Sequence, residues 1–378
     1  MWESNQIQYF LGANSPQGFY SLYSELLPPE TARAIYIIKG GPGCGKSTLM
    51  RQVGEWAAQA GETVEYILCS GDPDSLDAVL IPRRKVALVD GTAPHVIEPK
   101  YPGVVEQYVN LGECYDRAGL KSVRGEIQSC MVGYKEHYQR AYRCLDAAAE
   151  IQADLRATLM TRELEEKLVK RAQGILNREL KTKPERQAGQ VTQRFLGAVS
   201  HKGVLVLYGT AAAQCTRVYE LSDRFGLAHP LLNHLMAGAV LRGYHVVACP
   251  DPMAPDRLAH LLVPEAGLAF LTSTPAQPYL GKSCRRLRLE SMADRELLNR
   301  CRPRLRFSLK VSAALVEEAV DSLAQAKAMH DDLEGYYHPY VDFSKGNKIG
   351  EQIIQEIFTM GVHLPGHHRR RCRCRRID

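Results

Sequence analysis

The sequence lacks the features that mark membrane, secreted and disulfide-rich proteins. No apolar run approaches the roughly 18 residues that a membrane-spanning helix needs. Residues 1–6 have neither the basic nor the apolar region of a signal peptide. The eleven cysteines are scattered and include no C-x-x-C pair, which argues against a disulfide framework. We therefore expect a cytoplasmic protein whose thiols are reduced.

The remaining composition is that of an ordinary globular protein. Of its 378 residues, 45% are hydrophobic and 24% are charged. A chain of this length is too long for a single typical core, so it predicts two domains. The net charge of +6 is modest, and much of it comes from the last dozen residues. The charge therefore says little about the folded body.

One stretch, Gly40–Ser47, carries a recognisable chemical pattern. Its sequence GGPGCGKS fits G-x-x-x-x-G-K-[ST], the phosphate-binding P-loop. The flanking residues predict a buried strand over 34–39 and a helix over 48–60. In such a loop, glycine lets backbone N–H groups converge on phosphate, and Lys46 can reach the β- and γ-phosphates of ATP. The predicted nucleotide-binding residues are Gly41, Gly43, Cys44, Gly45, Lys46, Ser47 and Thr48.

A second segment, Val86–Asp90, resembles a Walker B strand. Four apolar residues are followed by an aspartate, which should emerge at the carboxyl end of a strand, where α/β sheets bind ligands. We expect Asp90 and the Ser47 hydroxyl to hold Mg²⁺, and Lys46 and Asp90 to be catalytic. Cys44 lies near a helix N-terminus, where a thiol can acidify; a packing role is the favoured interpretation.

The group that would activate an attacking water is less well defined. Gly91 stands where many ATPases have a glutamate, and the D-x-x-G of GTPases is absent. His95, in the proline-rich loop that leaves Asp90, is the predicted catalytic residue here, with a plain surface loop as the alternative. Three acidic residues are further candidates: Asp72, Asp74 and Glu98. Residues 72–77 predict a short capped helix.

Residues 107–183 have a mainly helical pattern. Between 134 and 180 glycine and proline are almost absent, and apolar residues recur every three or four positions. This predicts an antiparallel helical hairpin or short coiled coil that turns near 158–162. Such an arm could pack within the chain, bind a protein partner, form a homo-oligomer, or act as a lever that responds to nucleotide. Residues 181–187 are predicted to be a linker.

The second half of the chain repeats the first. The segment RFLGAVSHKG at 194–203 matches YFLGANSPQG at 9–18, and Tyr208 matches Tyr23 at the same separation. Later apolar positions and the helical arms also correspond. A tandem duplication of an α/β unit with a helical arm explains these matches.

The repeated half has lost the phosphate-binding chemistry. The segment Tyr208–Thr216 is predicted to replace the P-loop, and it lacks the second glycine and the lysine. Thr272 is predicted to replace Asp90. We therefore expect the second half to be a degenerate unit with a structural or regulatory role.

Several of these segments together resemble a known family. The stretches at 10–19, 35–47, 90–95 and 330–334 are similar to those of a bacterial family of two-repeat P-loop ATPases of unsettled function. The resemblance covers most of the chain and implies cytosolic ATP binding, with adenine preferred over guanine. It implies no particular substrate or partner.

These observations predict an α/β fold with P-loop NTPase-like parallel sheets in a tandem repeat, each with a helical arm. The predicted units are a P-loop domain at 1–106, an arm and linker at 107–187, a degenerate domain at 188–306, a second arm at 307–362 and a basic tail at 363–378. The tail is rich in arginine. We expect it to be solvated rather than a nucleic-acid or membrane contact.

Three functions fit this sequence. The favoured one is a Mg²⁺-dependent ATPase in which one active loop is coupled to the arms. The second is a small-molecule or nucleotide kinase, with Arg83, Arg84, Arg285 and Arg286 as possible lid residues. The third is a nucleotide-gated binding module with little turnover, which the absent glutamate after Asp90 favours.

Overall fold

The computed structural model describes residues 6–94, 96–184 and 187–360, which form two six-stranded mixed sheets with helices packed around them. The strands of the first half are β1 (Ile7–Phe10), β2 (Gly12–Ser15), β3 (Gly18–Ser21), β4 (Ala34–Lys39), β5 (Glu65–Leu68), β6 (Leu76–Ile81), β7 (Val86–Asp90) and β8 (Glu106–Asn110). Those of the second half are β9 (Val191–Gln193), β10 (Gly197–Ser200), β11 (Gly203–Val206), β12 (Arg217–Ser222), β13 (Val246–Asp251), β14 (Ala254–Val263), β15 (Leu268–Ser273) and β16 (Arg285–Arg288). The helices are α1 (Lys46–Gln59), α2 (Arg117–Ser122), α3 (Arg124–Leu159), α4 (Arg162–Glu179), α5 (Tyr208–Gln214), α6 (His229–Leu241), α7 (Arg295–Tyr337) and α8 (Phe343–Thr359).

The two sheets have the same topology. The first has the order β1-β5-β6-β7-β4-β8 and the second β9-β13-β14-β15-β12-β16. Five strands of each sheet run parallel, while β6 and β14 run antiparallel to both neighbours. The prediction of parallel sheets is therefore wrong for one strand in each sheet.

The antiparallel strand of the first sheet also corrects the helix predicted at 72–77. Asp72 and Asp74 lie in a turn, and the chain then enters β6, which includes Asp77 and is buried at every residue. Pairing with β5 and β7 satisfies the backbone of this apolar segment on both sides, which a short surface helix could not do.

The shared topology shows which residues follow equivalent strands. In the first sheet β4 leads through Gly40–Gly45 into α1, and in the second β12 leads through 223–228 into α6. The prediction that Tyr208–Thr216 replaces the P-loop is therefore wrong. Most of that segment is α5, which precedes β12, and its Thr210 hydroxyl bonds both backbone groups of Gln8 in the first half.

The repeated motif forms the junction between the halves. Phe10 and Phe195 are fully buried and exchange two backbone hydrogen bonds of 2.9 Å. Nearby, the Asn14 side chain donates to the carbonyl of Val199. Both motifs belong to one continuous apolar core. The duplicated segments thus hold the two sheets together.

The long helices cross between the halves. Helices α3 and α7 pack antiparallel along their length, with Arg140 paired to Glu318 at one level and Asp154 to Arg304 at another. The turn predicted near 158–162 lies between α3 and α4, as expected, but α4 packs mainly on α6. Correspondingly, α8 packs on α1. The predicted boundary at 306–307 falls inside α7. Within the described ranges, no helix has both the length and the apolar character needed to cross a membrane.

Candidate functional site

The loop between β4 and α1 has a backbone that requires glycine. Gly43 and Gly45 have φ values of 66° and 87°, in the left-handed region that side chains disfavour. Gly45 is the residue immediately before α1. This geometry lets consecutive N–H groups turn toward one side of the loop, as anion-binding loops require.

Lys46 begins α1 and lies across this loop. Its Nζ donates to the carbonyl oxygens of Gly40, at 3.0 Å, and Gly41, at 2.9 Å. It also lies 3.7 Å from Oδ2 of Asp90. The two residues are distant in sequence but meet because β4 and β7 are parallel neighbours, with Ile38 opposite Asp90. The sheet therefore brings together the predicted phosphate-binding lysine and the predicted metal-binding carboxylate.

The Asp90 side chain is 12% exposed and fixed on one side. Its Oδ1 accepts hydrogen bonds from the backbone N–H of Thr92, at 2.8 Å, and from the Thr92 hydroxyl, at 2.5 Å. Its Oδ2 is therefore the oxygen that faces Lys46. On the other side of the loop, the Ser47 hydroxyl oxygen accepts the N–H of Leu76 at 2.9 Å. His95, the third predicted catalytic residue, lies outside the described residues.

Cys44 fills space inside the loop. The thiol is buried, and a Cβ atom on Gly40 would lie only 2.6 Å from its sulfur. Burial raises the pKa of the Cys44 thiol, and the nearby Lys46 only partly opposes this effect. The thiol is therefore not acidified by its position, and the packing role fits the structure. Thr48 is exposed on α1.

Of the three acidic candidates for activating water, two have surface partners. Asp74 pairs with Lys202, and Glu98 accepts a hydrogen bond from the Tyr108 hydroxyl at 2.8 Å. Asp72 lies in the turn before Leu76 and is 3.5 Å from Nζ of Lys327 on α7. Asp72 is thus the candidate that lies in the turn leading to Leu76, which donates to Ser47, and that also contacts α7, the second arm.

The C-terminal end of α7 covers the loop, which sequence reasoning missed. The N–H of Gly43 donates to Oε1 of Glu334 at 3.2 Å. A Cβ on Gly43 would lie 3.1 Å from the His338 ring and 3.3 Å from the Glu334 carbonyl oxygen. Tyr337 packs against Tyr115, whose hydroxyl approaches the loop at the Pro42 carbonyl. A carboxylate from the second half of the chain therefore accepts a hydrogen bond from a backbone amide of the Gly40–Ser47 loop.

The same end of α7 contains the one group of metal-type ligands found among the described residues. His330, Asp331 and Glu334 each place a ligand atom within 4.8 Å of the others. Both carboxylates of this group already have partners, since Lys327 pairs with Asp331 and the Gly43 amide donates to Glu334. The resemblance at 330–334 was the sequence signal that could have directed attention to this segment.

The equivalent loop of the second half holds its own carboxylate. Asp223 directly follows β12, and its oxygens accept the N–H groups of Phe225, at 3.3 Å, Leu227, at 2.8 Å, and Ala228, at 2.8 Å. It is buried, and burial raises the pKa of this carboxyl while the amides oppose the shift. His229 begins α6 where Lys46 begins α1. Three amides of this loop are therefore already satisfied from within it.

Two further residues complete the correspondence. The predicted replacement of Asp90 by Thr272 agrees with the strand register, because Leu221 of β12 faces Thr272 as Ile38 faces Asp90. Arg156 of α3 lies against Gly226, with its Cδ 3.0 Å from where a Cβ would be. Each loop is thus covered by the long helix of the other half.

No family model, curated protein or solved structure matches the chain.

Proposed function

We propose that the loop at Gly40–Ser47 binds ATP with Mg²⁺ and that the chain hydrolyses it. The observation that carries this proposal is the Gly43 amide, which binds a carboxylate oxygen at 3.2 Å in a loop whose Lys46 lies 3.7 Å from Asp90. Loops of this form bind phosphate because their N–H groups converge and a helix begins behind them. The bound carboxylate is consistent with an affinity of this loop for anions.

The residues of the loop fit the chemistry of a magnesium nucleotide. Lys46 can exchange its bonds to two loop carbonyls for the β- and γ-phosphate oxygens. The Ser47 hydroxyl and the Asp90 carboxylate are oxygen ligands of the kind that Mg²⁺ prefers. When bound, Mg²⁺ neutralises charge on the phosphates during transfer. Thr92 keeps Asp90 oriented through two hydrogen bonds.

The second half supplies regulation in this proposal. Phosphate at the loop competes with the Glu334 carboxylate for the Gly43 amide, so binding favours movement of the α7 end. We regard the two halves as P-loop NTPase-like units in tandem, the second degenerate because His229 and Thr272 replace Lys46 and Asp90. The nine described cysteines are all free thiols, in keeping with the proposed cytoplasmic location.

Two other functions remain as alternatives. In a kinase, lid arginines would approach the nucleotide, but Arg84 is bonded to Glu62 at 2.9 Å and Arg286 lies 3.3 Å from Glu220 in the second sheet. These engagements favour hydrolysis over transfer to an acceptor. The third function, a binding module with little turnover, is supported by Gly91 in place of a glutamate. A partner bound through the arms remains a prediction.

The decisive experiment measures ATP binding and phosphate release for the wild type, Lys46→Ala and Asp90→Ala, with His229→Ala as the matched control at the degenerate loop. We expect Lys46→Ala to weaken ATP binding by about 30-fold or more, because a charge-assisted phosphate contact contributes about 2 kcal/mol. Asp90→Ala should abolish Mg²⁺-dependent release, and His229→Ala should change neither.

The other outcomes separate the alternatives. Phosphate transfer that needs an added acceptor would identify a kinase. Tight ATP binding without turnover would identify a binding module. Binding that survives Lys46→Ala undiminished would remove the basis of all three functions.

A further inference from the structure

A groove on the second half is lined by basic side chains. It consists of two adjoining cavities, of about 340 and 400 Å³, that share Arg171 and Met292. One wall is a face of α4, and the other is the edge strand β16 with the turn that follows it. We call this surface the basic groove. Its cationic residues are Lys167, Lys170, Arg171, Arg178, Arg286 and Arg288.

The groove carries an excess of positive charge. Three of the six cations have acidic partners: Lys167 with Glu163 at 2.8 Å, Arg178 with Glu179 at 2.9 Å, and Arg286 with Glu220 at 3.3 Å. The remaining three, Lys170, Arg171 and Arg288, form no ion pair with any described residue. No acidic side chain lines either cavity. A surface cluster of cations that lacks matching acidic residues attracts anions.

The duplicated scaffold provides an internal comparison. When α4 and α8 are aligned by their N-cap residues, the positions of Lys170 and Arg171 correspond to Glu351 and Gln352. The position of Arg288 on β16 corresponds to Asn110 on β8. The three cations without ion-pair partners thus have neutral or acidic counterparts in the first half, although Lys348 stands at the position of Lys167. Protection of an exposed sheet edge does not account for the arginines, because β8 is an equivalent edge without them.

The shape and chemistry of the groove favour an extended phosphate chain. The basic stripe of α4 from Lys167 to Arg178 is about 17 Å long, which matches about five phosphates along one strand of a duplex. Four of the six cations are arginines, whose planar guanidinium groups bind phosphate in a bidentate manner. No aromatic residue lines the groove, so nothing there would stack on unpaired bases.

We propose that the basic groove binds the phosphate backbone of double-stranded nucleic acid without reading its sequence. This site is separate from the loop at Gly40–Ser47, and it does not depend on the function proposed for that loop. A Lys46→Ala variant should therefore retain duplex binding.

The test is fluorescence anisotropy of a labelled mixed-sequence 24-bp DNA duplex with the full chain between 50 and 200 mM KCl. The double variant Arg171→Ala/Arg288→Ala should bind at least tenfold more weakly at 100 mM KCl. Its salt slope should be smaller by about 2, because two phosphate contacts are lost. The control Lys121→Ala/Arg124→Ala removes two exposed basic residues from the first half and should change affinity less than twofold. The arginine-rich tail is present in every variant, so its contribution cancels in the comparison.

A second pair of variants tests the groove without removing any cation. Gly174 lines the first cavity, and a Cβ at this position would meet no atom within 4 Å. Gly174→Glu places a negative charge among the cations and should weaken duplex binding about tenfold, while Gly174→Ala should leave it unchanged. Neither change should lower the melting temperature, because both improve the helix propensity of α4.

Three results would overturn the proposal. The first is an equal loss of affinity in the groove variant and its control, or in Gly174→Glu and Gly174→Ala. The second is competition by inorganic triphosphate as strong as that by unlabelled duplex, which would indicate a site for small anions. The third is groove-dependent binding to phosphatidylserine vesicles but not to duplex, which would indicate a membrane surface.

Discussion

The two equivalent loops are both held by a carboxylate, but the carboxylates come from different places. In the second half, Asp223 belongs to the loop itself, is buried and accepts three backbone N–H groups. In the first half, Glu334 comes from α7 and accepts one N–H, at 3.2 Å. The second loop thus has its carboxylate acceptor within the loop, whereas the glycine-rich loop receives one from α7.

This difference indicates how one scaffold can serve two purposes. A carboxylate within the loop cannot leave without unfolding that loop, so the second loop is fixed. A carboxylate on a separate helix can leave without unfolding the loop, so under the proposed function the first loop would respond to a bound phosphate. The residue that covers each loop comes from the long helix of the other half, and the two have opposite charges. Arg156 of α3 lies over the second loop, and Glu334 of α7 lies over the first. The following predictions test this contrast, from the largest expected effect to the smallest.

The strongest test is removal of the internal carboxylate. Asp223→Ala leaves three N–H groups without their acceptor in a buried loop and should lower the free energy of unfolding by about 3 kcal/mol. Asp223→Asn retains an acceptor and should cost about half as much. Glu334→Ala, the matched change at the first loop, should cost less than about 1 kcal/mol, because it frees one amide that a bound ligand or water can reach. Urea denaturation measures all three, and equal losses at the two loops would contradict the contrast.

The buried His260 of β14, beside Thr272, should give the second half a distinct pH dependence. The N–H of Thr272 donates to Nδ1 of His260 at 3.1 Å, and burial lowers the pKa of His260 to about 3. This histidine is neutral in the folded chain, but the unfolded chain takes up a proton below its ordinary pKa of about 6.5. Stability from this residue is therefore complete above that pH and decreases as pH falls toward the folded value.

The size of this effect can be measured by substitution. Between pH 8 and pH 5, His260 should account for a loss of about 2 kcal/mol in the free energy of unfolding. His260→Gln keeps an acceptor for Thr272 and should reduce the pH dependence by that amount. The first sheet has Ala78 at the equivalent register position, so it contributes no comparable term. An unchanged pH profile in His260→Gln would show that the histidine is accessible to protons in the folded chain.

Local sequence patterns predicted the glycine-rich loop and its flanking elements well. The predicted strand at 34–39 matches β4, and the helix predicted over 48–60 is α1, which begins two residues earlier. Glycine conformation, apolar spacing and the lysine that opens the helix are local properties, so a single sequence contains them. The meeting of Lys46 with Asp90 was also accessible, because two parallel strands were predicted before those residues.

The features that sequence reasoning missed depend on distant parts of the chain. The apolar stripe of α3 predicts that this face is buried, but it does not identify α7 as the helix that packs against it. The segment Leu76–Ile81 became a strand because two neighbours pair with it, an effect that local propensity does not contain. The contact between Gly43 and Glu334 likewise depends on α7 crossing from the second half. An alignment of the two halves by matching residues alone also placed the counterpart of the glycine-rich loop too early in the chain, at α5 and not after β12.

The external carboxylate gives a prediction for ligand binding. Glu334→Gln retains an oxygen for the Gly43 amide but removes the negative charge that would oppose phosphate. If the proposed function is correct, ATP should bind about fivefold more tightly, a gain of about 1 kcal/mol, and stability should change little. Glu317→Gln, an exposed glutamate elsewhere on α7, is the matched control and should leave affinity unchanged. Equal affinities in Glu334→Gln and the wild type would show that the carboxylate does not compete with nucleotide.

The smallest expected effect concerns the crossing of the two arms. Both oxygens of Asp154 on α3 accept a hydrogen bond from one Arg304 nitrogen on α7, at 2.8 and 2.7 Å. The Arg304 side chain is 59% exposed and the Asp154 side chain 50%. Exposed pairs contribute little because water and salt screen them, so Asp154→Asn should lower the free energy of unfolding by about 0.5 kcal/mol or less. Between the same two helices, Leu145 of α3 and Leu323 of α7 are buried in one apolar cluster. Leu145→Ala should therefore lower the free energy of unfolding by about 3 kcal/mol. Urea denaturation of the two variants therefore shows whether apolar packing or surface charge stabilises the contact between α3 and α7. A larger loss of stability in Asp154→Asn than in Leu145→Ala would mean that surface charge is the main contribution.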